Sequence, residues 1–236
     1  PRLDANIFSN LNGTNGLTIT GFTPGHPLVI ATGDFNGDGI DDLVIGSEPM
    51  YSVFLILGPL NMTASDSVPL DSLMDGIRGF QVISDRGDQF GTSIALIDVN
   101  GDSKKDLVIT ALDLDGFPSR GYLAVIFGAS GPYTPTLDVH EDEMFGSLGL
   151  IITGAPIDSL GYSVAGGDVN GDGVDDIVVT SDSEPNTYVI FGNRDTTSFP
   201  SSVTSLDGSN GFKINVGKSS LAVSDIDQDG YDDVLM

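Results

Sequence analysis

Apolar residues along this chain come in short runs, rich in Val, Ile, Leu and aromatics, and each run is closed by Gly, Asp or Ser. That is the pattern of strands, not of helices. Leu-Val-Ile-Gly after Asp42, Leu-Val-Ile-Thr after Asp106 and Ile-Val-Val-Thr after Asp176 read as buried strands. Small-residue strands precede them at 28–33, 93–97 and 162–167, with a fourth at 220–224. Runs ending in Gly follow at 51–58, 122–128 and 188–192. A further strand type, at 17–22, 80–84, 150–153 and 212–216, follows a Gly-x-x-Gly-[Phe/Leu] element at 13–17, 76–80, 146–150 and 208–212. The longest apolar stretches, such as 52–57 and 122–127, are too short to span a bilayer as helices.

The strands recur with a period. Asp34-Phe-Asn-Gly-Asp-Gly-Ile-Asp-Asp42, Asp98-Val-Asn-Gly-Asp-Ser-Lys-Lys-Asp106, Asp168-Val-Asn-Gly-Asp-Gly-Val-Asp-Asp176 and Asp225-Ile-Asp-Gln-Asp-Gly-Tyr-Asp-Asp233 align without gaps. The Gly-x-x-Gly element repeats at the same interval of roughly 64 residues, which marks a repeat array. The repeats run approximately 11–73, 74–143, 144–205 and 206–236, the last incomplete. Four antiparallel strands per repeat, without a helical period, predict an all-β chain of β-propeller blades: three complete and a partial fourth. The Ser/Thr/Pro-rich linkers 59–75, 129–145 and 193–207 are expected on the surface.

Composition sharpens this picture. The 236 residues hold 30 Asp, 4 Glu and only nine Lys and Arg, for a formal charge of -25. Nine cations exclude a basic nucleic-acid face and disfavour anionic membranes, so neither nucleic-acid binding nor direct membrane insertion is expected. Asp is a turn and cap residue where Glu favours helices, so the acid load belongs to loops. Without Cys there is no disulfide or thiolate chemistry. His26 and His140 sit in no nucleophile or metal motif, and no enzymatic activity is expected. The chain opens Pro1-Arg2 without a signal segment and stops inside the fourth unit, which predicts a processed or partial product.

The aligned Asp loops present oxygen at positions 1, 3, 5 and 9, with a position-7 carbonyl, around a Gly-bearing turn. Such a set suits one hard cation, and several carboxylates favour Ca²⁺ over Mg²⁺. The candidate ligands are Asp34, Asn36, Asp38, Ile40 (carbonyl) and Asp42 in the first loop, and Asp98, Asn100, Asp102, Lys104 (carbonyl) and Asp106 in the second. The third offers Asp168, Asn170, Asp172, Val174 (carbonyl) and Asp176; the fourth offers Asp225, Asp227, Asp229, Tyr231 (carbonyl) and Asp233. An EF-hand is excluded because its position-12 Glu is replaced by Ile45, Ile109, Val179 and Met236. Up to four Ca²⁺ ions are expected, and loop 98–106 should be weakest, since Ser103 replaces a Gly and Lys104 and Lys105 bring positive charge. A plain hairpin turn needs two such residues, not four.

The stretch Leu160-Gly-Tyr-Ser-Val-Ala-Gly-Gly-Asp168 and the loop after it resemble the FG-GAP repeat of integrin α-subunit propellers. Phe90-Gly91 and Gly154-Ala155-Pro156 supply the namesake elements, whereas His26-Pro27 and Gly217-Lys218 depart from Phe-Gly. The resemblance covers essentially the whole chain. It implies a propeller with loop-bound structural Ca²⁺ on an extracellular or cell-surface adhesion or interaction protein, whose partners are protein or glycan ligands. Two other readings stand beside it: a structural subunit of an extracellular fibre completed by copies of itself, and an ancillary module of a secreted enzyme. Asn12 and Asn61 open Asn-x-Thr triplets and are candidate glycosylation acceptors. Arg86-Gly87-Asp88 is read as a coincidental match to an adhesion tripeptide.

Overall fold

The structure, a computed structural model, describes residues 18–22, 27–47, 51–60, 67–84, 89–112, 119–139 and 146–236. Asn12, Asn61, His26, His140, the Gly-x-x-Gly element at 13–17 and the tripeptide 86–88 lie outside the described residues. The described chain is almost wholly β. Strands β1 (Ile19–Thr20), β2 (Leu28–Gly33), β3 (Asp42–Ser47), β4 (Ser52–Ile56), β5 (Val68–Pro69) and β6 (Gly79–Ile83) come first. They are followed by β7 (Phe90–Ile97), β8 (Asp106–Ala111), β9 (Tyr122–Ile126), β10 (Thr136–Asp138) and β11 (Gly149–Thr153). Next come β12 (Leu160–Gly167), β13 (Asp176–Ser181), β14 (Thr187–Ile190) and β15 (Gly211–Ile214), then the pair β16 (Ala222–Ser224) and β17 (Asp233–Leu235). No described helix is long and apolar enough to cross a membrane.

Three antiparallel four-stranded meanders result: β2-β3-β4-β6, β7-β8-β9-β11 and β12-β13-β14-β15. These are propeller-type blades, and they do not close into a ring. Their phase differs from the sequence repeat. The strand after the second, third and fourth Gly-x-x-Gly pairs with the last strand of the preceding unit, so Phe80 lies opposite Leu55, Leu150 opposite Val125 and Phe212 opposite Val189. Each sheet therefore takes three strands from one repeat and its outer strand from the next. Antiparallel return beside the strand just completed is the shortest way to use the linker, and it stitches successive repeats together.

The linkers are not simply surface loops. Each lends a short segment that runs parallel to the outer strand of its own repeat: β5 beside β1, β10 beside β6, and Ser202 bridged to Thr153. These segments cover edges that would otherwise be open for pairing. They also bury single apolar anchors, with Leu70, Leu73, Val139 and Val203 almost wholly removed from solvent.

Sheets stack face to face, and alternation along the middle strands decides which face each residue serves. On β8, Leu107, Ile109 and Ala111 pack with Val44, Val53 and Leu55 of the first sheet. Val108 points the other way and joins Ile177, Val179 and Ile190 of the third. The innermost strands β2, β7, β12 and β16 touch in succession. At Phe90-Gly91 and Leu160-Gly161 the inner strand shifts register. Phe90 and Leu160 are fully buried there, while Gly91 (φ 86°) and Gly161 (φ 118°) adopt backbone that side chains resist. A Cβ at Gly161 would also stand 2.9 Å from Thr110 Cβ on the preceding sheet, so this glycine lets the strand approach closely.

Because Leu107 is wholly buried between two sheets, Leu107→Ala is expected to cost about 2–5 kcal/mol in chemical denaturation. Ile77→Ala, at a side chain 75% exposed, should stay within about 0.5 kcal/mol of the parent.

Candidate metal-binding loops

All four Asp loops connect an inner strand to the middle strand of its sheet, so they fall at equivalent corners of successive blades. Position 9 is the root of each loop. In the first, Asp42 Oδ2 accepts from the N–H groups of Phe35 (2.9 Å) and Asn36 (3.3 Å), while Oδ1 accepts from Gly58 N–H at 2.8 Å. Asp106 accepts from Val99 (2.9 Å) and Gly128 (2.8 Å), and Asp176 from Val169 (3.0 Å) and Gly192 (2.9 Å). One carboxylate thus joins the inner-strand exit, the start of the middle strand and the exit of the third strand. Asp233 keeps the first half of this pattern, accepting from Ile226 N–H at 3.0 Å.

Positions 1, 3 and 5 form the crest. Asp34 Oδ1 accepts from Gly37 (2.8 Å) and Asp38 (3.0 Å), and its Oδ2 accepts from Gly39 at 2.8 Å. Asp168 repeats this with Gly171, Asp172 and Gly173. Asp98 accepts from Asp102 and Ser103, and Asp225 from Asp229 and Gly230. The position-3 oxygens of Asn36, Asn100, Asn170 and Asp227 each accept from the position-5 N–H. Position 6 is left-handed throughout: Gly39, Ser103, Gly173 and Gly230 have φ of 84°, 72°, 81° and 93°. Ser103 holds that conformation with a Cβ, so the second loop carries backbone strain the others lack.

The crest draws side-chain oxygens together. Asp225, Asp227 and Asp229 bring carboxylate oxygens within 4.8 Å of one another, the only such triple of metal-ligating side chains among the described residues. In the first three loops position 3 is Asn, and the position-9 carboxylate stays at the root. Position 7 is a candidate ligand only through its backbone carbonyl, and its side chain does something else. Lys104, Val174 and Tyr231 each lie over the position-4 glycine of the preceding loop, Gly37, Gly101 and Gly171. Lys104 Nζ also reaches Asp102 of its own loop at 3.3 Å.

Position 8 was not singled out in the sequence, yet it carries the contact between loops. Asp175 N–H donates to Asp98 C=O at 3.0 Å, and Asp175 Oδ2 accepts from Asp98 N–H at 2.8 Å. Asp232 does the same to Asp168, at 2.9 Å in both directions. The second loop has Lys105 here: its N–H reaches Asp34 C=O at 2.9 Å, and its ammonium turns to Asp175, 2.8 Å away. The only signal in the sequence is the doubled Asp-Asp that ends loops one, three and four.

Burial governs the root carboxylates. Desolvation pushes Asp106 up to about 7 and Asp176 up to about 6, against the backbone donors that favour the charged form and with the crest aspartates adding repulsion. Asp42 is raised for the same reason.

The turn after Gly154-Ala155-Pro156 holds a second polar cluster, buried rather than open. Asp158 accepts from Asn186 Nδ2 at 2.7 Å and from the Tyr188 hydroxyl, and Ser159 contacts the hydroxyls of Ser119 and Ser183. Its donors and acceptors satisfy one another, which ties this turn to the third sheet.

Residues 27–48, 90–126 and 160–196 match the FG-GAP repeat family model, which takes in the first three loops. Mouse integrin alpha-IIb is 29% identical over 220 residues, 88% of this chain and 19% of that protein. Integrin alpha pat-2 of Caenorhabditis elegans is 29% identical over 180 residues, 70% of this chain and 14% of that protein. Human phosphatidylinositol-glycan-specific phospholipase D is 29% identical over 168 residues, 66% of this chain and 18% of that protein. The chain spans less than a fifth of each of these relatives. The chain is thus similar to FG-GAP repeats in three segments and to integrin α-subunits across most of its length.

The raised root carboxylates set a pH dependence for metal-free protein. Between about pH 4 and 7 the folded chain binds more protons at Asp106 and Asp176 than the unfolded chain, so stability falls as pH rises through that window. In chelator, the thermal midpoint should be higher at pH 5 than at pH 8; a midpoint that climbs with pH contradicts the assignment.

Proposed function

We propose that this chain of FG-GAP repeats, similar to integrin α-subunits, is a non-enzymatic, Ca²⁺-stabilised propeller segment of an extracellular or cell-surface adhesion protein. The observation that carries the reading is the fourfold recurrence of one loop, its position-1 carboxylate held by backbone N–H groups and its oxygens gathered at the crest. The donor set fits a hard cation: carboxylates, an amide oxygen or third carboxylate, and a carbonyl, without nitrogen or sulfur. In the first loop Asp34, Asn36, Asp38, Asp42 and the Ile40 carbonyl would hold it, and the matching residues would do so in the other three. The cation would supply positive charge that cancels repulsion among clustered aspartates.

Within each loop the chain's own residues divide the work. In the first three loops the root carboxylate holds three strand ends, and in all four the position-1 carboxylate organises the crest through the loop's own N–H groups. In loop 98–106 the Lys104 ammonium sits on the position-5 carboxylate at 3.3 Å and competes with a cation for Asp102. Strain at Ser103 and that lysine support ranking this loop as the weakest site. A cleft of about 360 Å³ beside the first loop, lined in part by Asn36, Asp38, Ile77 and Tyr133, offers aromatic and polar surface to a partner's side chain.

A second reading keeps the cation sites but attaches the repeats to a secreted enzyme as an ancillary module. The match to the phospholipase D favours it. A catalytic domain in the flanking sequence of the full-length gene product supports that reading, and adhesion-type repeats on both sides support the first.

Calorimetric titration of chelator-stripped protein with Ca²⁺ should reveal up to four sites, with loop 98–106 filling last. At calcium about a hundred times the dissociation constant, each site adds about 2.7 kcal/mol. The thermal midpoint should drop on adding EDTA, and a midpoint indifferent to EDTA speaks against structural Ca²⁺. Asp102→Asn should weaken only the second loop's site.

A further inference from the structure

We propose that Asp175 and Asp232 are positioning residues that couple the cation sites of neighbouring loops, so that the third loop sets the affinity of the second and the fourth loop that of the third. The inference rests on reading the loops as cation sites. Its basis is the reciprocal clip at position 8. Asp175 grips Asp98 from both sides, accepting its N–H at 2.8 Å and donating to its C=O at 3.0 Å. Asp232 grips Asp168 in the same way, at 2.9 Å for both bonds. The gripped residue is position 1, the one whose carboxylate organises the crest through its N–H partners. Each grip sits one residue before the next loop's root carboxylate, Asp176 or Asp233. A ligand of one loop and the root of the next are thus joined by two hydrogen bonds and one peptide link.

The geometry gives a directional effect. Bonds to both peptide groups of Asp98 remove the backbone freedom that would let its carboxylate swing away from the crest. Restoring freedom to a residue makes binding there bear the entropic cost of ordering it again. The position-7 side chains reinforce the direction, since Val174 and Tyr231 press on Gly101 and Gly171, inside the same loops that the clips hold. The junction between loops one and two lacks the carboxylate half. Lys105 supplies only its N–H to Asp34, and its ammonium lies on Asp175 instead. Loop 34–42 is therefore the internal control: Asp175 and Asp232 make no hydrogen bond to it.

The test is a Ca²⁺ titration of the full chain followed by amide NMR, reading Gly37, Gly101 and Gly171 as reporters of loops one, two and three. Asp175→Ala should raise the half-saturating Ca²⁺ of loop 98–106 about tenfold, the equivalent of about 1.4 kcal/mol, and leave loop 34–42 where it was. Asp175→Asn removes the charge but keeps an oxygen for the Asp98 N–H, so it should recover most of that loss. A general loss of stability or of negative charge would not separate the two variants. Asp232→Ala and Asp232→Asn provide the same comparison at loop 168–176 should Asp175→Ala fail to fold. Coupling is overturned if Ala and Asn variants behave alike, or if loop 34–42 shifts as far as the clipped loop. Wild-type amides indifferent to Ca²⁺ in every loop overturn the cation reading and the coupling with it.

Discussion

A buried carboxylate at the foot of each of the first three Asp loops is the interaction on which the rest of the structure depends. Asp42, Asp106 and Asp176 are almost completely removed from water, a costly place for an ionisable group unless its oxygens are satisfied. Here they are satisfied by backbone N–H groups from two separate chain segments, one just after the inner strand and one at the Gly that ends the third strand. The cost of burial thus becomes a constraint on geometry. Three strand ends must stay together, and the loop between two of them must fold back over the foot.

That constraint and the apolar stacking act on different parts of a blade. Middle strands such as β8 and β13 are buried along their full length, and on β8 alternate residues serve the sheets on either side. Hydrophobic burial is strong but without direction, so by itself it allows neighbouring sheets to slide. The loops supply direction at one corner, where Asp175 and Asp232 lock each loop to the one before. At the outer edge, the linker segments β5 and β10 and their anchors Leu70, Leu73 and Val139 hold the opposite side. The directional contacts fall where charged oxygens are brought together without being buried.

Much of this was legible along the chain, for physical reasons that differ by element. The strands could be read because Val-, Ile- and Leu-rich runs stop at Asp or Gly, residues that terminate pairing, and the Asp loops because the same four oxygen positions recur. The phase of the blades was not legible. Nothing local in Phe80 or Phe212 tells whether its strand pairs forward within its own unit or backward across a linker; only the packed sheet decides. Leu70, Leu73 and Val203 were hidden because single apolar residues in a polar linker have no period. Asp175 and Asp232 were hidden for the opposite reason: beside a position-9 aspartate, a second acid looks like spare turn chemistry until the preceding loop is set next to it. The double duty of position 9, ligand candidate and buried foot, likewise needs the third strand's Gly in view.

Hydrogen exchange of native protein with and without chelator tests the division between foot and crest most directly. The amides of Val99, Val169, Gly128 and Gly192, which donate to the foot carboxylates, should remain among the slowest to exchange in both conditions. Those of Gly101, Asp102, Gly171 and Gly173, on the crest, should lose protection when the chelator is added. Foot amides that open as fast as the crest, or a crest whose exchange ignores the chelator, would contradict the account.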